Sequence, residues 1–171
     1  MNITQTPNGS MTGKRVIITG PTSGFGKEIA TQLAALGAEL VLACRDLGRG
    51  ERTVDEIARC TGAKNCEVMR IDTSNQQSIH EFARQYRERY PRLDVLINNA
   101  GINRSQRQTS VDGIGLTFAT NVLGYYLLTR DLLDLLRASA PAHIVNTSVP
   151  SHAAPHVPLL WVQRRSRDRY S

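Results

Sequence analysis

Short apolar blocks alternate along the chain with longer stretches whose apolar residues recur every three or four positions. Val16-Ile17-Ile18-Thr19 is the first block, rich in β-branched residues and ended by Gly20. From Phe25 to Leu36, the residues Ile29, Leu33 and Leu36 recur at helical spacing beside Ala30 and Ala34, and Gly37 is placed to cap the C-terminus. Leu40-Val41-Leu42-Ala43-Cys44 is apolar throughout, as a strand buried on both faces must be. Asp46 predicts the N-cap of a second helix through Val54, Ile57 and Ala58, stopped near Gly62. Residues 67–71 form a third strand. Ser74 with Gln77 predicts a capping box that opens a helix with Ile79, Phe82, Ala83 and Tyr86 on its apolar side, ended by Pro91. Val95-Leu96-Ile97 is the fourth strand, Asp112 to Arg137 a long helix, and His143-Ile144-Val145-Asn146 the fifth strand. Strands alternating with helices of this length predict βαβ crossovers, hence an α/β fold with a doubly wound parallel sheet and helices on both faces.

The pattern covers residues 13–148. Residues 1–12 read as a flexible N-terminal segment. Pro150, Pro155 and Pro158 interrupt any regular element in 149–171, which reads as an irregular basic tail.

Composition changes this picture little. With 171 residues, 40% hydrophobic and 21% charged, the chain suits one domain with a core of its own, and collagen-like, coiled-coil and disordered classes are excluded. No apolar run approaches the ~18 residues that span a bilayer, so no membrane association is expected. The start, MNITQTPNGSM, lacks the basic and apolar regions of a secretory signal. Three cysteines, Cys44, Cys60 and Cys66, form no CxxC and suggest a reduced, cytoplasmic protein, in which the sequons at Asn2, Asn8 and Asn146 are chance matches. The net charge of +6 owes half its value to residues 156–171, where four arginines face one acid. Residues 13–150 show no basic face with interleaved aromatics, so no nucleic-acid partner is expected.

The chemical signal begins at Thr19-Gly20-Pro21-Thr22-Ser23-Gly24-Phe25-Gly26, between the first strand and its helix. Free backbone N–H groups and the positive end of the helix dipole favour a phosphate there. Gly20 permits the turn, Gly24 lets a pyrophosphate approach, and Gly26 allows close packing of helix on strand. The end of the second strand reads Cys44-Arg45-Asp46. The planar donor fork of Arg45 suits a ribose 2′-phosphate, while Asp46 is accounted for as a helix cap, so NADP(H) is favoured over NAD(H).

These motifs, together with ACRDLGRG at 43–50, NNAG at 98–101 and DGIGLTFATNVLGYYLLT at 112–129, resemble those of the short-chain dehydrogenases/reductases. The resemblance is nearest the retinol-dehydrogenase-like and WW-domain-oxidoreductase-like branch. It covers residues 13–152 and implies a Rossmann-like sheet with its C-terminal strands missing from a shortened chain. It implies that Gly20, Ser23, Gly24, Phe25 and Gly26 hold the pyrophosphate of a nicotinamide dinucleotide. By the same resemblance, Arg45 takes the 2′-phosphate, Asp72 with Thr73 the adenine, and Asn98, Ala100 and Gly101 pack near the ribose and steady the fourth strand. Asn121 matches an asparagine that holds a water in a proton relay. The implied activity is NADP(H)-dependent hydride transfer between a small carbonyl and an alcohol. Dimers of the family commonly use the helix matching 112–137, so the resemblance admits a homo-oligomer.

The departures concern catalysis. The family pairs a proton-donating tyrosine with a lysine four residues on. The lysines here are Lys14, Lys27 and Lys64, and no Tyr-x-x-x-Lys occurs. In the family pattern N-V-S-S-x-x-H the second serine is catalytic, and the stretch Asn146-Thr147-Ser148-Val149-Pro150-Ser151-His152 puts Val149 there. Ser148 or Ser151 substitutes only if the loop shifts. Three readings stay open: a catalytically impaired oxidoreductase, a nucleotide-binding module without turnover, and a truncated product without function.

Overall fold

The computed structural model describes residues 11–148. Its strands are β1 Arg15–Thr19, β2 Glu39–Cys44, β3 Cys66–Arg70, β4 Val95–Asn98 and β5 His143–Asn146. The helices between them are α1 Gly24–Ala35, α2 Leu47–Thr61 and α3 Gln76–Arg89, followed after β4 by the single turn α4 Leu116–Phe118, a π-helical turn Ala119–Leu123, and α5 Gly124–Ala138. All strands are parallel, in the order β3-β2-β1-β4-β5. The chain builds outward from β1 to β3, then returns to the other side of β1 for β4. The direction reverses between β1 and β4, which opens a crevice at their C-terminal ends.

Alternation along β1 explains the two layers of helices. Ile17 enters a core with Val41, Phe82, Tyr86, Leu96 and Leu128, under α3 and α5. Val16 and Ile18 point the other way, into a core with Ala30, Leu40, Leu42 and Ile57, under α1 and α2. The doubly wound α/β fold is thus present as the pattern predicts. Phe82 and Tyr86 are each about 1% exposed or less, which anchors α3 from the predicted face.

Three local expectations are corrected. Ser74 and Gln77 do not form a capping box: Asn75 is the N-cap of α3, its Oδ1 accepting from Ser78 N at 3.0 Å. Ser74 instead donates its hydroxyl to Asp72 Oδ1 at 2.6 Å. The long helix starts at Leu116, not Asp112, because residues 110–115 form a turn with Gly113 at φ +75° and a bridge from Thr109 to Gly115. Met11 and Thr12 belong with the fold rather than with a free terminus: Met11 N donates to Leu36 O at 3.0 Å and Thr12 lies against Gly37. The rest of the N-terminal segment and the basic tail lie outside the described residues.

Asp46 and Gly62 bound α2 as predicted. Asp46 Oδ1 accepts from Arg49 N at 2.9 Å, and Gly62 closes the helix at φ +73°. Among the described residues, no helix is long and apolar enough to cross a membrane.

Candidate dinucleotide site

The crevice at the switch point is held open by hydrogen bonds between the ends of β1 and β4. The buried Thr19 hydroxyl accepts from the amides of Asn99 and Ala100, both at 2.9 Å. In return, Asn99 Nδ2 donates to the carbonyls of Thr19 at 3.0 Å and Gly20 at 3.2 Å. One threonine and one asparagine therefore lace together two loops that lie 80 residues apart in sequence.

Two glycines are required by this closeness. Gly20 sits at φ +65°, and a Cβ there would lie 2.8 Å from Ala100 Cα. At Gly26 a Cβ would run into the Gly20 carbonyl and Asn99 Nδ2. Gly24, at φ +53°, has open space beside it, so its backbone conformation is what calls for glycine. Ser23 occupies the N-cap position of α1 without making a side-chain cap, and the first turn of α1 carries no acid. The leading amides of the helix thus have no side-chain acceptor and point a positive dipole end at the crevice.

The resulting cavity has a volume of about 380 Å³. Of the residues singled out from sequence, Gly20, Ser23, Phe25, Gly26, Arg45, Asp72, Thr73, Ala100 and Gly101 line it. Asp72 is fixed for this position, its Oδ1 accepting from the amide and the hydroxyl of Ser74. Phe25, 85% exposed, stands at the rim.

Gly24, Asn98, Asn121 and Ser148 are not among the lining residues. Asn98 is buried, and its Nδ2 donates to Asn146 Oδ1 at 2.8 Å and Thr129 Oγ1 at 3.1 Å. It clamps β4 to β5 and α5 and does not face the cavity, so the steadying half of its expected role is the one the geometry carries. Asn121, in the π-helical turn, accepts from Ile102 N and donates to Ile102 O, both at 2.9 Å. Both ends of its amide are committed to the wall that follows the NNAG motif. Ser148 is exposed, at the last described position.

The cavity also contains residues that the motifs did not single out. Asn99 could have been chosen over Asn98 from strand alternation, since Asn98 continues the buried run of β4. Thr22, Ile102, Thr120 and Arg49 carried no such signal; they arrive at the cavity through loops, the π-helical turn and the first turn of α2. Cys44 lines it as well. Burial, then the neighbouring Asp46 charge, hold its thiol above the ordinary cysteine value, so it stays protonated. Among the described residues, the lining includes no lysine, tyrosine or histidine.

Comparison with known proteins agrees with this geometry. Residues 14–158 match the family described as short chain dehydrogenase. The chain is 41% identical over 156 residues to the human protein named retinol dehydrogenase 13, a match covering 90% of this chain and 47% of that one. It spans about half the length of the curated relatives it matches. A metagenomic short-chain oxidoreductase solved in complex with NADP superimposes with a TM-score of 0.74 at 30% identity, over 85% of this chain and 66% of that one. A short chain dehydrogenase/reductase of Burkholderia phymatum, solved with NAD, gives 0.67 at 35% identity, over 81% and 50%. The glycine loop, the laced NNAG turn and a match spanning most of the chain make this protein a member of the short-chain dehydrogenase family.

Proposed function

We propose that this chain is the nucleotide-binding part of an NADP(H)-dependent oxidoreductase that interconverts a carbonyl and an alcohol, and that alone it binds nucleotide with little turnover. The observation that carries the reading is the uncapped N-terminus of α1 beside a crevice whose wall is packed so closely that a Cβ at Gly20 or Gly26 would collide with it. A pyrophosphate fits there, since it needs backbone amides at close range and a positive dipole end. Ser23, Gly24 and Phe25 would supply those amides, Asp72 and Thr73 would border the adenine, and Ala100 and Gly101 the ribose. When bound, the nicotinamide supplies or accepts hydride.

Arg45 supports a preference for NADP(H). Arg45 and Asp46 both line the cavity, and the Oδ1 of Asp46, the acid nearest the end of β2, is engaged in capping α2. The low turnover follows from the proton. Hydride transfer to a carbonyl must be matched by a proton from a positioned acid, and neither a Tyr-x-x-x-Lys pair in the sequence nor a candidate group in the described lining supplies one. The relatives' name, retinol dehydrogenase, suggests retinol or its aldehyde as the substrate class of a protein that contains this chain together with such an acid.

The test is a fluorescence titration with NADPH and NADH. Both bind, NADPH more tightly, and Arg45→Ala reduces the NADPH advantage. Absence of binding by either nucleotide, or an undiminished preference in the variant, overturns the reading. Purified chain given NADPH and a simple aldehyde shows little oxidation of NADPH; robust turnover overturns the claim of impairment.

A further inference from the structure

A second cavity, of about 370 Å³, lies at the other end of the sheet, where β1, β2 and β3 begin. Arg15 and Glu39 are partners in register, and Glu67 is the partner of Val41, one pleat further along. Alternation puts all three on the side of the sheet that carries Ile17, Val41 and Met69, the side covered by α3. Tyr90, the C-cap of α3, closes the group: the Arg15 guanidinium carbon lies 4.2 Å from the centre of its ring. The same guanidinium donates to Glu39 Oε2 and sits 3.9 Å from Glu67 Oε1, to which the Tyr90 hydroxyl also donates. Burial, then that hydrogen bond, hold the Tyr90 phenol above its ordinary value, so it remains a donor. Lys64 and Asn65 border the cavity from the loop before β3, and Leu40 N fixes that loop by donating to Asn65 O at 2.8 Å. Neither Lys64 Nζ nor the side-chain amide of Asn65 has a partner among the described residues.

We propose that this cavity is a second ligand site, apart from the crevice, and that it takes a small zwitterion of the amino-acid type, with one ammonium and one carboxylate. Arg15 is not available to a ligand anion, because its charge faces two carboxylates and one flat side is covered by Tyr90. The ligand meets what is left. Glu39 and Glu67 each keep one oxygen without a hydrogen bond among the described residues, and these accept from an ammonium. Lys64 and Asn65 supply donors for a carboxylate. Arg15 and Lys64 balance Glu39 and Glu67 in charge, so a net-neutral ligand with separated charges matches the cavity. A plain anion is repelled by the two glutamates, and a plain cation by Lys64. The stacked Arg15 and the Leu40–Asn65 hydrogen bond hold the walls in place before a ligand arrives, which lowers the cost of ordering them. Charge pairs this close to solvent are weak, so the affinity is on the order of millimolar. The site does not depend on the dinucleotide reading.

The probes are ε-aminocaproate, hexylamine and hexanoate, titrated into the isotope-labelled full chain and followed by two-dimensional NMR, with NADPH affinity measured alongside. ε-Aminocaproate shifts the resonances of Lys64, Asn65 and Glu67 saturably, and the two singly charged probes bind about fivefold more weakly or worse. Lys64→Gln removes a charge without a partner in the described fold, so the chain folds as wild type. That variant weakens ε-aminocaproate by about fivefold and hexylamine by about twofold or less. Glu67→Gln weakens ε-aminocaproate and hexylamine alike, by about fivefold, and leaves hexanoate no weaker. NADPH affinity stays within about twofold in both variants, since the crevice is at the far end of the sheet. Absence of a saturable shift around the cavity, or equal binding of all three probes, overturns the proposal. So does a Lys64→Gln chain that binds ε-aminocaproate as tightly as wild type. If Glu67→Gln loses NADPH and the probes together, its effect is on the fold, and the Lys64→Gln titration alone decides.

Discussion

At the scale of single residues, the two asparagines of the NNAG motif divide the labour between fold and site. Asn99 reaches back to the glycine loop and lines the cavity; Asn98 points away from it, under the sheet. Both functions need the amide group, which offers two donors and an acceptor in one plane. Asn98→Ala removes the donor that joins Asn146 and Thr129, and since Asn146 is exposed and can turn to water, the cost is about 1–2 kcal/mol rather than the larger penalty of a sealed orphan. The loss is local. Amide exchange quickens in β5 before it does in β1 and β2, while NADPH affinity drops less than fourfold, about 0.8 kcal/mol. Equal acceleration across all strands would show that Asn98 has no clamping role of its own. Neighbouring letters of one motif thus differ in what they do, and only the alternation of the strand that precedes them tells which is which.

At the scale of elements, the apolar periodicities foretold every strand and the body of every helix, because each is decided by burial on a recognisable face. The strands named from sequence at Val95 and His143 begin on those residues. Helix starts were less legible, because a cap is a hydrogen bond whose competitors are local. Ser74, Asn75 and Asp72 are all able to cap, and Asn75 wins once the Ser74 hydroxyl is held by Asp72. The helix after the NNAG loop held a further surprise in the π-helical turn at Ala119–Leu123, which periodicity does not reveal. That turn delivers Asn121 to Ile102 and is followed at once by Gly124, where a Cβ would run into the Thr73 carbonyl and meet Thr73 Cβ at 3.1 Å. Thr73 is itself a wall of the cavity. Gly124→Ala therefore forces α5 away from the loop after β3. Helix propensity favours alanine by about 1 kcal/mol, so a rise in stability is the outcome expected of an exposed position. Here overpacking against backbone dominates, and thermal denaturation shows a net loss of about 1–3 kcal/mol together with weaker nucleotide binding. A Gly124→Ala chain as stable as wild type would mean that the helix slides without cost.

At the scale of the molecule, the end of the sheet opposite the crevice is tied by one carboxylate that no periodic pattern marks. Asp94 lies just before β4 and is 2% exposed. It accepts from the Arg15 amide at 2.9 Å, from Lys14 Nζ at 3.3 Å, and from the Arg92 guanidinium at 2.6–2.9 Å. The first two partners lie about 80 residues earlier in the chain, so the acid joins β4 to β1 across the crossover. The Arg92 hydrogen bonds are the main reason its pKa sits at about 2 rather than 3.8; burial opposes them, and the Arg15 amide and Lys14 add to them. Because the folded value is depressed, the stabilisation is complete above the unfolded value near 3.8 and is lost as pH falls from there through about 2. Arg92 and Lys14 are half-exposed, and the screening this brings reduces the contribution to about 1–2 kcal/mol. Asp131 is also held below the usual carboxylate value, burial opposing while hydrogen bonds from His80 and Arg130 outweigh it. The decisive comparison is between chains. Urea midpoints followed by circular dichroism from pH 5 to pH 2 decline for the wild type, and decline less steeply for Asp94→Asn, which starts lower at neutral pH and converges with it near pH 2. Arg92→Ala moves the wild-type decline to higher pH. Parallel curves for wild type and Asp94→Asn would remove Asp94 from the acid response and leave the β1–β4 junction to its backbone ladder alone.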